Sequence, residues 1–343
     1  MLVVFGMVAC DYCLAVHDVS ENAARPTISS LARTVTMDPR DLPHETIGDL
    51  AQCVDLLQAK SKSFYAGSIL FEGRLKLDLL VLYAWCRVVD DMIDEPSNDC
   101  DANDAIKLLR RYLNLVFDRE SRPDRKQIST LLPKVPPAQR SSFFLLAGLP
   151  ISRGPLDELI DGFETDAAFE DLAPDAVAFP EDKDVLKYAS NVASSVADLC
   201  CQLVWHHYGC LLSSQQRQEV IEAARKMGQA LQLTNIARDV PSDYDIRRVY
   251  LPTLSVARLD SGLECATAER KRLIRMARHL ASGSRRGIDM LPRDVQGGMK
   301  SATDLYMSIA DAVDRAMAND DISGRAGVSS WDRVKTVWRA MAA

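Results

Sequence analysis

Two stretches of the chain concentrate side-chain oxygen at helical spacing. The first is Trp85-Cys86-Arg87-Val88-Val89-Asp90-Asp91-Met92-Ile93-Asp94-Glu95. On a helix Asp90 and Asp94 lie one turn apart and Asp91 and Asp94 three residues apart, so the three carboxylates share a face beside Arg87. Like charges on neighbouring turns repel by a few tenths of a kcal/mol per pair at a surface, and a cation is what such a cluster lacks. The second is Gln232-Leu233-Thr234-Asn235-Ile236-Ala237-Arg238-Asp239-Val240-Pro241-Ser242-Asp243. Here Asn235 and Asp239 are one turn apart and Asp243 is the next turn. Pro241 removes the bond to the carbonyl four residues back, which predicts a loosened last turn under Asp243. Oxygen ligands without His or Cys suit Mg²⁺, which takes one or two carboxylates and completes its octahedron with phosphate and water. A DDxxD string alone reads as readily as a solvated helix face. Two such clusters, each preceded by apolar residues (Leu79 to Trp85, Ala230 to Leu233) and each beside an Arg, instead predict acidic stripes that face a cavity.

The elements that must position these groups are helices. From about Glu45 onward apolar residues recur at helical spacing, as in Leu50, Val54, Leu57 and Leu75, Leu79, Leu82. Stretches 105–117, 185–212, 215–240, 266–281 and 301–317 repeat the pattern, and alternating runs with hairpin dipeptides are missing. Breaks are expected at Pro96-Ser97-Asn98, Arg122-Pro123-Asp124, Pro133 to Pro137, Pro150 to Pro155 and Pro174 to Pro180. The reading is an apolar stub and linker over 1–45 and one all-α domain over 46–343 around a central cavity. A net charge of −7 is the wrong sign for neutralising phosphate backbones, so nucleic acid is not an expected partner. Nine scattered cysteines, mostly in apolar stretches, fit packed thiols of a cytosolic protein better than a disulfide framework. Cys10-Asp11-Tyr12-Cys13 has no second pair at zinc spacing, and His206 and His207 read as core or surface residues. Leu2 to Cys10 is apolar but about half the ~20 residues a spanning helix needs, so any membrane contact is expected to be peripheral.

At these residues the sequence resembles the squalene and phytoene synthases. Ser61-Lys62-Ser63-Phe64, Tyr83-Ala84-Trp85-Cys86-Arg87 running into Asp90-Asp91-Met92-Ile93-Asp94, Asn235 through Asp243, and Arg248-Val249-Tyr250-Leu251-Pro252 match in order. Weaker matches are Asp161-Gly162-Phe163 and Leu291-Pro292-Arg293 with Ala302 to Tyr306. Leu2 to Ala15 also looks like the last membrane segment of the cyclase half in fungal two-domain lycopene cyclase/phytoene synthase proteins. The resemblance implies an all-α class I isoprenoid synthase fold, with two aspartate-rich helices facing each other across a deep apolar pocket. It implies Mg²⁺ held by Asp90, Asp91, Asp94, Asn235, Asp239 and Asp243, and a prenyl diphosphate, geranylgeranyl diphosphate, as substrate. Asp90, Asp94, Asp239, Asp243 and Tyr250 would be catalytic. Ser61, Lys62, Ser63, Arg87, Gln232 and Arg248 would bind substrate, Arg by bidentate pairing and Lys as a point charge. Phe64, Tyr83, Trp85 or Tyr188 would offer an aromatic face to a carbocation.

One segment departs from the family's Tyr-Cys-x-x-Val-Ala-Gly-x-Val-Gly pattern. In Tyr188-Ala189-Ser190-Asn191-Val192-Ala193-Ser194-Ser195-Val196-Ala197, Ser194 and Ala197 stand where glycines are usual. Each adds a side chain where a prenyl tail or a second helix comes close, so an altered pocket volume is expected. Head-to-head coupling of two geranylgeranyl diphosphates to phytoene leads; cyclisation of one molecule to a diterpene comes second. Squalene synthesis with NADPH, or a non-catalytic helical scaffold, comes behind both.

Overall fold

The computed structural model describes residues 44–60, 71–94, 101–118 and 123–318. Among them twelve α-helices follow one another: α1 (His44–Lys60), α2 (Gly73–Asp94), α3 (Ala102–Val116), α4 (Arg125–Leu131), α5 (Pro137–Leu146), α6 (Arg153–Ala167), α7 (Asp182–Ala189), α8 (Ser195–Tyr208), α9 (Ser214–Asp245), α10 (Val256–Leu259), α11 (Thr267–Asp289) and α12 (Arg293–Ala318). A π turn, Ser190–Ser194, joins α7 to α8. Several helices start where the sequence supplies a cap. The Asp101 side chain accepts from the Asp104 amide, Asp124 and Ser213 form capping boxes with Gln127 and Gln216, and Pro137 occupies the first position of α5. The break expected at Pro174 to Pro180 lies between helices; those expected at Pro133 to Pro137 and Pro150 to Pro155 run into the first turns of α5 and α6, where Pro137 and Pro155 sit with no helical amide to lose, and 96–98 falls outside the described residues.

The described residues pack as two compact units, those up to 157 with 202–210 and those of 158–201 with the residues from 211 on; two divisions fall inside α6 and α8 and the third just past α8. In the first unit α1, α2 and α5 pack against one another, with Cys53, Val54 and Leu57 meeting Leu77, Leu80 and Ala84. Most of α2 is buried, from Leu75 to Ile93, as expected of a helix apolar on nearly every side. Trp85 is fully buried against Tyr112 and Phe143, ring centroids 6.5 and 6.1 Å away. Its ring is packed among core rings of the first unit.

The second unit is built on α9, along which α11, α12 and the π turn pack. Close approach is set by glycine at two places. A Cβ on Gly228 of α9 would fall 2.8 Å from the Ala193 and Ser194 backbone, and one on Gly162 of α6 would fall 2.3 Å from Val192 Cγ1. The π turn is thus seated on two glycines of its neighbours, the physical reason for glycine in the Asp161-Gly162-Phe163 motif. Cys53, Cys86, Cys200 and Cys201 are buried and none of the four is in a disulfide. Among the described residues no helix is long and apolar enough to cross a membrane; Leu2 to Ala15 lies outside them.

Candidate active site

The first carboxylate motif occupies the last turns of α2 in the first unit. Asp90 and Asp91 are buried, 1% and 6% exposed, and Asp94 ends the helix half-buried. Two carboxylates cannot be taken from water without compensating charge, and the compensation is visible. Arg87 donates through Nη1 to Asp90 Oδ2 at 3.4 Å and through Nη2 to Asp91 Oδ1. Lys60, the last residue of α1, reaches Asp91 Oδ2. Lys60 was not singled out by sequence reasoning, which favoured Lys62 two residues on. Ser61, Lys62, Ser63 and Phe64 lie outside the described residues. The half-buried ring of Tyr83 packs against the α1 and α2 core cluster.

The second motif lies on α9 in the second unit, and here the structure corrects an expectation. The helix does not loosen at Pro241 but runs on to Asp245. The carbonyl that proline leaves without an amide is that of Ala237, and the Nε of Arg270, a fully buried residue of α11, donates to it at 2.7 Å. A side chain on the neighbouring helix thus replaces the missing backbone donor, and Asp239 and Asp243 remain one turn apart on a continuous helix.

Around them the polar groups are densely paired. Arg238 grips the adjacent Asp239 with two donors, Nε to Oδ1 at 2.7 Å and Nη2 to Oδ2. Burial works against the Arg238 cation, but these bonds more than offset it and raise its pKa. Asn235 accepts from the Tyr306 hydroxyl and donates to Gln232 Oε1 at 3.3 Å. Tyr306, from the weak Ala302 to Tyr306 match, thereby orients Asn235, and Gln232 meets Asn235 as a neighbour in the same helix. The Asp243 carboxyl is pushed up to about 8, first by loss of water around it and then by the charge of Asp239.

Past Asp243 the chain turns sharply. The Arg247 amide bonds to the Tyr244 carbonyl and the Arg248 amide to the Asp243 carbonyl, both at 2.8 Å, with Arg247 left-handed at φ 61°. This is the paired closure of a Schellman end, with arginine where glycine is usual. It brings Arg248 and Tyr250 back beside Asp243, and the three line one small recess with Ile236 and Val240. Tyr250 is buried and its hydroxyl donates to Asp166 Oδ1 at 2.8 Å; the Tyr188 hydroxyl donates to the same oxygen, also at 2.8 Å. Asp166 is the functional candidate that sequence reasoning missed, because an acid three residues past Phe163 on α6 carries no local sign of burial.

Ser194 is fully buried and its hydroxyl donates to the Arg225 carbonyl of α9 at 2.5 Å. Its side chain is spent on the neighbouring helix, so the expected change of pocket volume does not come from this position. Ala197 is half-buried on α8.

Among the described residues no group of three or more His, Cys, Asp or Glu is disposed to hold a metal ion unaided. The donor set nonetheless fits Mg²⁺ that arrives with a diphosphate. Each ion then needs only one or two carboxylates, the rest of its octahedron being phosphate oxygen and water. Both motifs supply oxygen ligands alone, and each has cationic side chains near its carboxylates, Arg87 and Lys60 in the first unit and Arg248 in the second.

All-helical architecture of this kind is shared with solved squalene and dehydrosqualene synthases. A crystal structure of a dehydrosqualene synthase in complex with ligand superposes with a TM-score of 0.64 at 22% identity, covering 87% of this chain and 97% of that one. Residues 57–332 match the squalene/phytoene synthase family, and the chain belongs to it. Bifunctional lycopene cyclase/phytoene synthases from Gibberella fujikuroi and Phaeosphaeria nodorum are each 33% identical over 99% of the chain. The chain spans about 60% of the length of these curated relatives, 61% and 60% respectively.

Proposed function

We propose that the chain is a phytoene synthase, ionising geranylgeranyl diphosphate with Mg²⁺ and joining two molecules head to head with loss of a proton. The observation that carries this reading is the recess where Asp243, Arg248 and Tyr250 meet beside Asp239 on an unbroken α9. Its carboxylates would hold metal, its arginine a phosphate and its phenol a reacting carbon. Mg²⁺ bound with substrate supplies charge neutralisation of the leaving diphosphate. Asp90, Asp91 and Asp94 with Asn235, Asp239 and Asp243 would hold it. Arg87 and Lys60, now spent on Asp90 and Asp91, would turn to diphosphate oxygens once those carboxylates bind metal, as would Arg248. The whole-chain similarity to proteins whose names include phytoene synthase supports this choice of product. Cyclisation to a diterpene keeps Ala197 behind it, Ser194 being turned to α9.

The test is incubation of purified protein with geranylgeranyl diphosphate and Mg²⁺, without NADPH, and mass analysis of the hexane extract. A forty-carbon hydrocarbon is expected. A twenty-carbon cyclic product would replace the reading with a cyclase, and absence of diphosphate release would end it. Asp90→Asn and Asp239→Asn should each lower diphosphate release by at least about 100-fold, on the order of 3 kcal/mol.

A further inference from the structure

Asp166 lies at the centre of a buried aromatic group of the second unit that the metal chemistry leaves unused. It is 1% exposed, and its Oδ1 accepts from both the Tyr188 and Tyr250 hydroxyls. The two phenol rings stack at 5.2 Å, with Phe179 5.4 Å from Tyr188 and Phe169 4.9 Å from Tyr250. A phenol has one proton to donate. With both protons committed to one carboxylate oxygen, each tyrosine presents only lone pairs elsewhere. Tyr250 lines the recess with Asp243 and Arg248, so one such oxygen stands beside the groups assigned to the diphosphate.

We propose that Asp166 is a positioning residue that acts through Tyr250 and Tyr188, turning their lone pairs toward the prenyl carbocation and receiving the phenolic proton when that cation is deprotonated. This rests on the synthase reading above. In the step, a substrate C–H bond breaks and its electron pair becomes the new carbon–carbon double bond. The proton goes to the Tyr250 oxygen, and the proton that oxygen already carried passes to Asp166. Asp166 ends as a neutral carboxylic acid and returns its proton to solvent between turnovers. No oxidant or reductant enters. Burial already biases Asp166 toward accepting a proton, raising it to about 7, while the hydrogen bonds from Tyr250 and Tyr188 and the charge of Arg248 pull the other way. Before the transfer, the carboxylate enriches both rings in electron density, strengthening their hold on a cation.

The experiment measures hydrocarbon formed per diphosphate released, with geranylgeranyl diphosphate and Mg²⁺, in wild type, Asp166→Asn and the double variant Tyr188→Phe with Tyr250→Phe. Asparagine keeps the shape but cannot take the proton, and phenylalanine keeps both rings without their oxygens. In each, the ratio should fall at least tenfold and the water-quenched prenyl alcohol should rise in its place. A purely structural role would lower release and hydrocarbon together; an unchanged ratio in folded Asp166→Asn overturns the proposal. Should that variant not fold, the double tyrosine variant decides alone, and its unchanged ratio overturns the proposal equally. Wild-type protein that releases no diphosphate refutes the synthase reading beneath, whereas release with an unmoved ratio refutes only the role of Asp166.

Discussion

Arg270→Met in two backgrounds tests whether α11 supplies the hydrogen bond that Pro241 takes away. In the native chain Arg270 Nε is 2.7 Å from the Ala237 carbonyl, four residues before the proline. A hydrogen bond involving a charged donor contributes about 1.5–3 kcal/mol, and a buried carbonyl left without a donor costs about 1–3 kcal/mol. These describe the same loss from two sides and are not added. Methionine relieves part of the cost of burying a guanidinium, so a net destabilisation of about 2 kcal/mol is expected. Pro241→Ala restores an amide at position 241 that can close on Ala237 along the helix. In that background Arg270→Met should cost at least about 1 kcal/mol less, a coupling within the usual range for groups sharing one acceptor. Hydrogen exchange of the amides over 238–245 is the assay, because it reads local opening of this turn without assuming that both units unfold together. Each 1.4 kcal/mol is about tenfold in the opening equilibrium. Arg270→Met alone should speed exchange at these amides by more than tenfold, and addition of Pro241→Ala should recover most of the protection. Equal effects of Arg270→Met in both backgrounds would refute the substitution of a side-chain donor for the missing backbone one.

Gly228→Ala should destabilise the second unit by about 1–3 kcal/mol, since the new Cβ would fall 2.8 Å from the backbone of Ala193 and Ser194 and backbone has no rotamer to yield; thermal melts check it. At the end of α9, Arg247→Gly should be neutral or slightly stabilising, because relief of the left-handed backbone outweighs an exposed ion pair with Asp260. Arg247→Ala, which loses the pair and keeps the strain, should be the less stable of the two in urea unfolding. Asp166, raised from 3.8 to about 7 when folded, contributes to the pH dependence of stability alongside Asp243, raised to about 8. Between the unfolded and folded values of Asp166 the folded state holds its proton more tightly than the unfolded chain, so this contribution falls as pH rises from about 4 to 7, by up to about 1.4 kcal/mol per unit. Asp166→Asn should lessen the slope in melts taken across that range; an unaltered slope would show that the carboxyl is not a source.

How far these features were legible in the sequence depends on where their causes lie. The helices, their caps at Asp101, Asp124 and Ser213, and the carboxylate spacing are local properties, and a 3.6-residue period shows them directly. What the sequence could not show is which partner another element provides. Pro241 has a local rule against it and a distant residue that answers it, 29 positions on in Arg270. Asn235 looked like a bare oxygen donor until Tyr306 of α12 met it, and nothing local marks Lys60, which the end of α1 places on Asp91.

Ser194 carries the same lesson to function. Read alone, serine in place of glycine implies a fuller pocket, because close packing at that site demands the smaller residue. The structure meets the demand from the other side of the contact: Gly228 of α9 supplies the missing Cβ space, and the serine hydroxyl bonds to the Arg225 carbonyl of the same helix. A glycine requirement belongs to an interface and not to one of its residues, so its loss on one strand of sequence is informative only when the facing position is known. The consequence for product choice is direct. Ser194→Gly would open space toward α9 and leave the product unchanged, whereas Ala197, half-buried on α8, remains the position at which this segment's departure from the family bears on the pocket. Separate Ser194→Gly and Ala197→Gly variants, compared by product mass, distinguish the two: a product shift from Ser194→Gly alone would overturn the packing argument.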